Sequence, residues 1–229
     1  MSSFHTLELK EVEQIFETYR RKSGHSTELE TELTICDYRQ LEYLPETIGN
    51  LTSLTALYIC DCSRLKELPE TIGKLKNLKK LKIWGCISDL IDFDKLPDTI
   101  GELKSLTYLR IHGTALQSLP DTIGNLDNLE YLEISGNWEF HQLTDTIGNL
   151  KKLKTLSIEG NEKLTSLPES LGELGSLEDL YISRNALEYL PESIGRLQSI
   201  QYIDAHENFF RSLPESICNL KLLKDNIYK

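Results

Sequence analysis

The chain has 229 residues, a formal net charge of −11 and five cysteines. That acidic balance excludes the basic footprint that nucleic-acid phosphates or an anionic membrane surface require. No apolar run approaches the roughly 20 residues of a membrane-spanning helix, and the N-terminal Met-Ser-Ser-Phe-His-Thr lacks the regions of a secretory signal.

Residues 4–22 come first. Leu9, Val12, Phe16 and Tyr19 fall on one face at helical spacing, with Ile15 beside them and charges opposite. The spacing predicts a helix that caps the first repeat, with docking of a partner as its alternative use. Residues 23–28 form a connector, so 1–28 reads as a capping segment, 29–223 as a repeat domain and 224–229 as a tail. After Leu223 the chain offers Asn226 and Tyr228 where a ninth repeat needs apolar residues. Leu222, Leu223 and Ile227 then fold over the last repeat, or the natural chain continues.

From Leu44 onward Leu-Pro-x-[Thr/Ser]-[Ile/Leu]-[Gly/Cys]-x-Leu occurs seven times, and an eighth copy has Thr144 in place of proline. The copies start at Leu44, Leu68, Leu96, Leu119, Leu143, Leu167, Leu190 and Leu213, a period of 23 to 28 residues. Such a period signals a stacked architecture. Between the copies lies L-x-x-L-x-[I/A], as in Leu54/Leu57/Ile59 and Leu129/Leu132/Ile134, with a degenerate start at Glu30/Leu33/Ile35. Its alternation is that of a strand with one buried face. Eight such strands stack in parallel, about 4.8 Å apart. Three residues beyond each strand comes Tyr38, Cys62, Cys86, Thr114, Asn137, Asn161, Asn185 or Asn208, placed to satisfy backbone groups that the turn leaves unpaired. The proline suits the first position of a short helical or 3-10 turn, the acid after it suits that turn's positive end, and the glycine suits a tight return.

These motifs resemble those of the leucine-rich-repeat superfamily, in its 23–24-residue class with L-P-x-x-I-G-x-L. That class includes plant Ras-group-related, plant immune-receptor and bacterial repeat proteins. The resemblance covers about Leu29 to Leu223. It implies an α/β solenoid: a right-handed horseshoe with a parallel concave sheet and short helical or 3-10 turns on the convex side. It also implies protein binding more often than catalysis, since function resides in sites and not in the fold.

Cys36 and Cys60 hold the same outward strand position in adjacent repeats, and Cys62 and Cys86 take the asparagine position. All five thiols, Cys218 included, are expected to be reduced, which favours an intracellular setting. Repeat three carries an insertion, Ile87 to Lys95, with Asp89, Asp92 and Asp94. Its spacing is not that of a calcium loop, and a solvated bulge with Leu90 or Phe93 turned inward is expected. No nucleophile elbow, phosphate loop, zinc motif or Cys-x-x-C pair occurs. No catalytic residue, metal or cofactor is implied.

Strand positions three, five and seven point away from the core. There stand Tyr58, Lys80, Lys82, Trp84, Tyr108, Arg110, His112, Tyr131, Glu133, Tyr181 and Tyr202. Lys79 to His112 make repeats three and four basic, whereas Glu130, Glu133, Glu159, Glu178, Asp179, Asp204 and Glu207 outweigh Lys154 and Arg184 beyond them. Tryptophan, tyrosine and arginine dominate interface energetics, so these residues are the candidate partner-binding set, centred on Trp84, Tyr108 and Arg110. Strand propensity alone also favours aromatics. The expected function is a non-catalytic scaffold, adaptor or effector gripping a protein partner on the concave face. The alternatives are the recognition part of a larger protein, such as a ubiquitin ligase or an immune receptor, and a glycan or small-ligand binder. The expected setting is the cytoplasm, or a host cell for an effector. A monomer is expected, with a dimer through the C-terminal end as the other possibility.

Overall fold

The structure, a computed structural model, describes residues 10–17, 31–85 and 92–221 and the backbone of 227–228. One parallel sheet runs in chain order through β1 (Glu32–Cys36), β2 (Ala56–Cys60), β3 (Lys80–Trp84), β4 (Tyr108–His112), β5 (Tyr131–Ser135), β6 (Thr155–Ser157), β7 (Asp179–Tyr181), β8 (Tyr202–Asp204) and β9 (Ile227–Tyr228). The repeats stack without slip: Leu57, Leu81, Leu109, Leu132, Leu156, Leu180 and Ile203 pair in one row. The longer third repeat keeps this register, because its extra residues lie before Leu96, and Phe93 among them is fully buried. Leu90 and Cys86 lie outside the described residues. The sheet has one more strand than the eight expected. Ile227 takes the register of Ile203 through backbone pairing, which does not need the apolar pattern that residues 226 and 228 lack.

Between strands, each Leu-Pro motif forms a five-residue 3-10 turn, from Glu46–Asn50 to Glu215–Asn219. The proline sits one residue earlier than expected. Pro45 is the N-cap, extended at φ −63° and ψ 142°, and its carbonyl accepts the Ile48 amide at 3.1 Å. An N-cap already holds extended backbone, so a fixed φ is equally suited there. Thr144 replaces the proline by capping with its hydroxyl, which accepts the Thr146 amide at 3.4 Å.

The motif glycines serve close approach rather than a tight return, since none has a positive φ. A Cβ on Gly101 would stand 2.4 Å from the Thr122 carbonyl of the next turn, and one on Gly195 would stand 2.3 Å from that of Ser216. At Cys218 no described turn stacks on the far side, and the side chain is exposed. A second line of parallel bridges runs just before the Leu-Pro motifs, Tyr43 to Glu67 to Lys95 and Ser118 to Gln142. The strand pattern gives no sign of it, because single bridges need no alternation.

The apolar positions of the inner repeats are closed off from water; in the second, Leu54, Leu57, Ile59, Cys62, Leu65 and Ile72 show no exposure, while Leu213 and Ile217 of the last are partly buried. Val12 and Phe16 of the helix at 10–17 (α1) are buried in the same core, with Ile15 partly so. Leu9 and Tyr19 lie outside the described residues. Inside the stack the asparagines form a ladder. The Thr114 amide donates to Asn137 Oδ1 at 3.1 Å, the Asn137 amide to Asn161 at 3.0 Å and the Asn161 amide to Asn185 at 2.9 Å. Each Nδ2 returns to strand carbonyls, Asn161 to Ile134 at 2.9 Å and Asn185 to Ile158 at 2.6 Å. Backbone groups that would be orphaned in a dry core are thereby paired.

Cys36 and Cys60 are joined as a disulfide, which corrects the expectation of five free thiols. In-register pairing brings their Cα atoms to 4.5 Å, within the range a disulfide spans. Cys62 is buried and outside that link, and its Sγ donates to the Ile35 and Cys60 carbonyls.

Candidate concave-face site

Strand alternation places all eleven candidate residues on one face, in three rows across the sheet. The first row runs Lys80, Tyr108, Tyr131, Thr155, Asp179, Tyr202; the middle row runs Tyr58, Lys82, Arg110, Glu133, Ser157, Tyr181. Trp84 and His112 pair in the third row, continuing from Cys36 and Cys60. The side chains gather into two groups.

In the first group, Lys82 Nζ lies 5.7 Å from the Tyr58 ring centre and 5.0 Å from that of Tyr108, so its charge is shared between two π faces. Tyr108 stacks on Tyr131 with ring centres 4.3 Å apart and planes 2° from parallel. Glu133 is the hub. Only 9% exposed, it accepts the Tyr131 hydroxyl at 2.8 Å on Oε2. Its Oε1 lies 3.0 Å from Arg110 Nε and 3.9 Å from His112 Nδ1. The Arg110 contact is close enough for ion pairing but not aligned as a hydrogen bond, and neither nitrogen has a hydrogen-bond partner among the described residues. Burial, then the bond to Glu133 and its charge, push the Tyr131 hydroxyl far above the ordinary phenol range. Tyr58 is raised by burial and by Glu32.

Arg110 is therefore not a free cation, as the run of basic residues suggested. The sequence shows no acid at the outward positions of repeats three and four, and the neutralising carboxylate comes from the next repeat.

In the second group, Tyr181 and Tyr202 tilt together with ring centres 5.3 Å apart. Burial and the negative surroundings of Asp179, Tyr202, Glu159 and Asp204 raise the Tyr181 hydroxyl. Glu159 accepts hydrogen bonds from Ser157 at 3.1 Å and Ser183 at 2.7 Å. Arg184 pairs with Glu207 at 3.2 Å, and Lys154 with Glu130 at 2.9 Å.

Between the groups lies a concavity of about 580 Å³, lined among others by Tyr131, Thr155, Ser157, Glu159, Asp179 and Tyr181. It exists because β6 offers only Thr155 and Ser157 where its neighbours carry tyrosines. The candidate set holds part of its wall, His112, Tyr131, Glu133 and Tyr181, and lacks Thr155, Ser157, Glu159 and Asp179. Their signal was present: two small residues in a face of aromatics, with Glu159 and Asp179 beside them. A second hollow of about 500 Å³ lies where Glu13 of α1 meets Tyr43, Pro45, Glu67 and Pro69. Among the described residues no group of three His, Cys, Asp or Glu side chains is placed to hold a metal ion, and no helix is long and apolar enough to cross a membrane.

A family model described as a leucine-rich repeat region matches residues 94–188. Among curated proteins no relative matches the sequence. Among solved structures, a leucine-rich-repeat protein of Leptospira interrogans is 28% identical with a TM-score of 0.73, over 86% of this chain and 54% of its own. This chain thus spans about half the length of that protein. The leucine-rich-repeat domain of the type III effector XopL is 21% identical with a TM-score of 0.68, over 98% of this chain and 94% of its own. The Arabidopsis receptor kinase HAESA, solved with the peptide hormone IDA and the co-receptor SERK1, is 22% identical with a TM-score of 0.60, over 86% of this chain and 35% of its own. At these identities the last two speak to the fold alone.

Proposed function

Because the chain is a leucine-rich-repeat protein, we propose that it is a non-catalytic interaction module that holds a partner protein against the concave face of its sheet. The observation that carries this reading is the placement of Trp84, Tyr58, Tyr108, Tyr131, Tyr181 and Tyr202 on one open face, outside a core that closes without them. Large aromatics on an open face gain little for folding and much for an interface. The partner would lie across the strands, with Lys80 and Lys82 at one end and the acidic repeats at the other.

The test is affinity capture of a partner with the native chain, with a Trp84→Ala/Lys82→Ala variant and with a convex variant. Loss of the partner by the concave variant, at unchanged melting temperature and by about tenfold or more in affinity, supports the reading. Loss by convex Glu192→Ala alone overturns it. Glu169 does not serve as a neutral convex control: its carboxylate accepts the Glu192 and Ser193 amides at 3.1 and 2.9 Å and so holds the next turn.

A second reading, the recognition part of a larger protein, draws support from the 54% coverage of the Leptospira protein. The concave-face test applies to it unchanged.

A further inference from the structure

The concave face is electrically two-ended, and the basin over β6 lies toward the acidic end. Tyr131 has one ring face stacked on Tyr108 of β4, and its hydroxyl is tied to Glu133, so the ring is held in place. In the same row its other neighbour is Thr155 of β6, too small to cover the opposite face. That face is therefore presented to the basin. Across the basin stand Glu159, which is bonded only to serine hydroxyls, and Asp179; among the described residues neither pairs with a cation. Arg184, at the rim, is held by Glu207. An aromatic face opposite two uncompensated carboxylates suits a guanidinium group, which stacks on π faces and offers planar donors to carboxylates. At the other end Lys82 of β3 lies over the Tyr58 and Tyr108 rings and Lys80 precedes it on the same face; among the described residues no carboxylate pairs with either. The Tyr181 hydroxyl, raised first by burial and then by negative surroundings that include Asp179, Glu159 and Asp204, lies in the same acidic end.

Resting on the concave-face reading, we propose that the face takes an extended partner segment which lays an arginine over β6, stacked on Tyr131 and paired with Glu159 and Asp179, and sets a carboxylate over Lys80 and Lys82. From β3 to β6 or β7 is three or four strand steps of about 4.8 Å, roughly 14–19 Å. An extended chain covers that in about four to six residues. The two charges fix which way the segment runs, since the reverse orientation sets like charges against each other at both ends.

The probe is a displayed library of random linear peptides panned against the whole native chain. Enriched sequences are expected to carry arginine with Asp or Glu about four to six positions away. Synthesised binders should lose roughly tenfold or more in affinity on the Glu159→Gln/Asp179→Asn variant, and similarly when their arginine is replaced by citrulline. Glu159→Gln keeps an acceptor for one of the Ser157 and Ser183 hydroxyls and offers the other an amide donor, and an unchanged melting temperature confirms that the variant folds. Binders without a cation, binders indifferent to Glu159→Gln/Asp179→Asn but lost on Trp84→Ala, or a selection that enriches nothing overturn this inference and leave the concave face in place. Binders indifferent to both variants overturn the concave-face reading as well.

Discussion

Replacing Asn161 by alanine removes one rung from the interior of the stack. The side chain shows no exposure. Its Oδ1 accepts the Asn137 amide at 3.0 Å and its Nδ2 donates to the Ile134 carbonyl at 2.9 Å. Alanine leaves both backbone groups buried without partners, both in the preceding repeat. At about 1–3 kcal/mol for each unsatisfied group, the cost is about 2–6 kcal/mol. Asn161→Asp keeps an acceptor for the Asn137 amide but loses the donor and buries a charge, so it should cost at least as much. Asn208→Ala should cost less, because Asn208 is only part-buried and water can reach the groups it serves. Urea unfolding followed by circular dichroism and by tryptophan fluorescence provides the measurement, and coincident curves license a single free energy. A loss below about 0.5 kcal/mol for Asn161→Ala would refute the view that the ladder satisfies backbone the stack cannot otherwise pair.

The motif glycines predict opposite outcomes for one substitution. Gly148→Ala brings a Cβ to 2.6 Å from the Ser170 carbonyl and should cost about 1–3 kcal/mol, whereas Gly175→Ala meets nothing within 4 Å and should be neutral or stabilising by up to about 1 kcal/mol; equal shifts in melting temperature would count against close turn packing. For Tyr131 the folded-state value is raised above the unfolded one, so the stabilisation is fully present below pH 10.0 and is lost as pH rises beyond it. Alkaline titration at the tyrosinate absorbance should show one tyrosine resisting ionisation until unfolding, and Tyr131→Phe should remove it. Thiol alkylation of native protein should label Cys218 first, with Cys62 protected and Cys36 linked to Cys60. If mass spectrometry finds all four unlinked in protein as first isolated, the reducing setting is favoured; a linked pair favours a non-reducing one.

The spacing of the Leu-Pro copies determined most of the architecture, because a stack with a constant period has one strand register, and every cross-strand neighbour follows from it. That logic reached Cys36 beside Cys60 and the common face of Trp84, Tyr108 and Arg110. It stopped at long side chains. Arg110 has strand neighbours on both sides, and only packing shows that it turns to Glu133 and away from an incoming partner. The glycine pattern was read from conformational freedom, whereas the deciding quantity was the gap to the next turn, which no single repeat contains. The floor of the basin over β6 leaves no mark in a pattern of large outward residues, because a hollow is made where they are absent.

The interior ladder also gives the stack a graded cohesion along its axis. Repeats five to eight are joined by asparagine, the fourth by the Thr114 hydroxyl and the second by the Cys62 thiol, whose contacts at 3.4 and 3.7 Å are the weaker bonds of sulfur. Each asparagine rung ties its own repeat to the one before it, whereas the Thr114 hydroxyl donates to Asn137 of the one after. Repeats one and two, which share the weakest rung, are held instead by the Cys36–Cys60 link; on reduced protein amide exchange should open the first strands ahead of β5 to β7, so this one bond decides whether the amino-terminal end of the concave face can adjust its curvature.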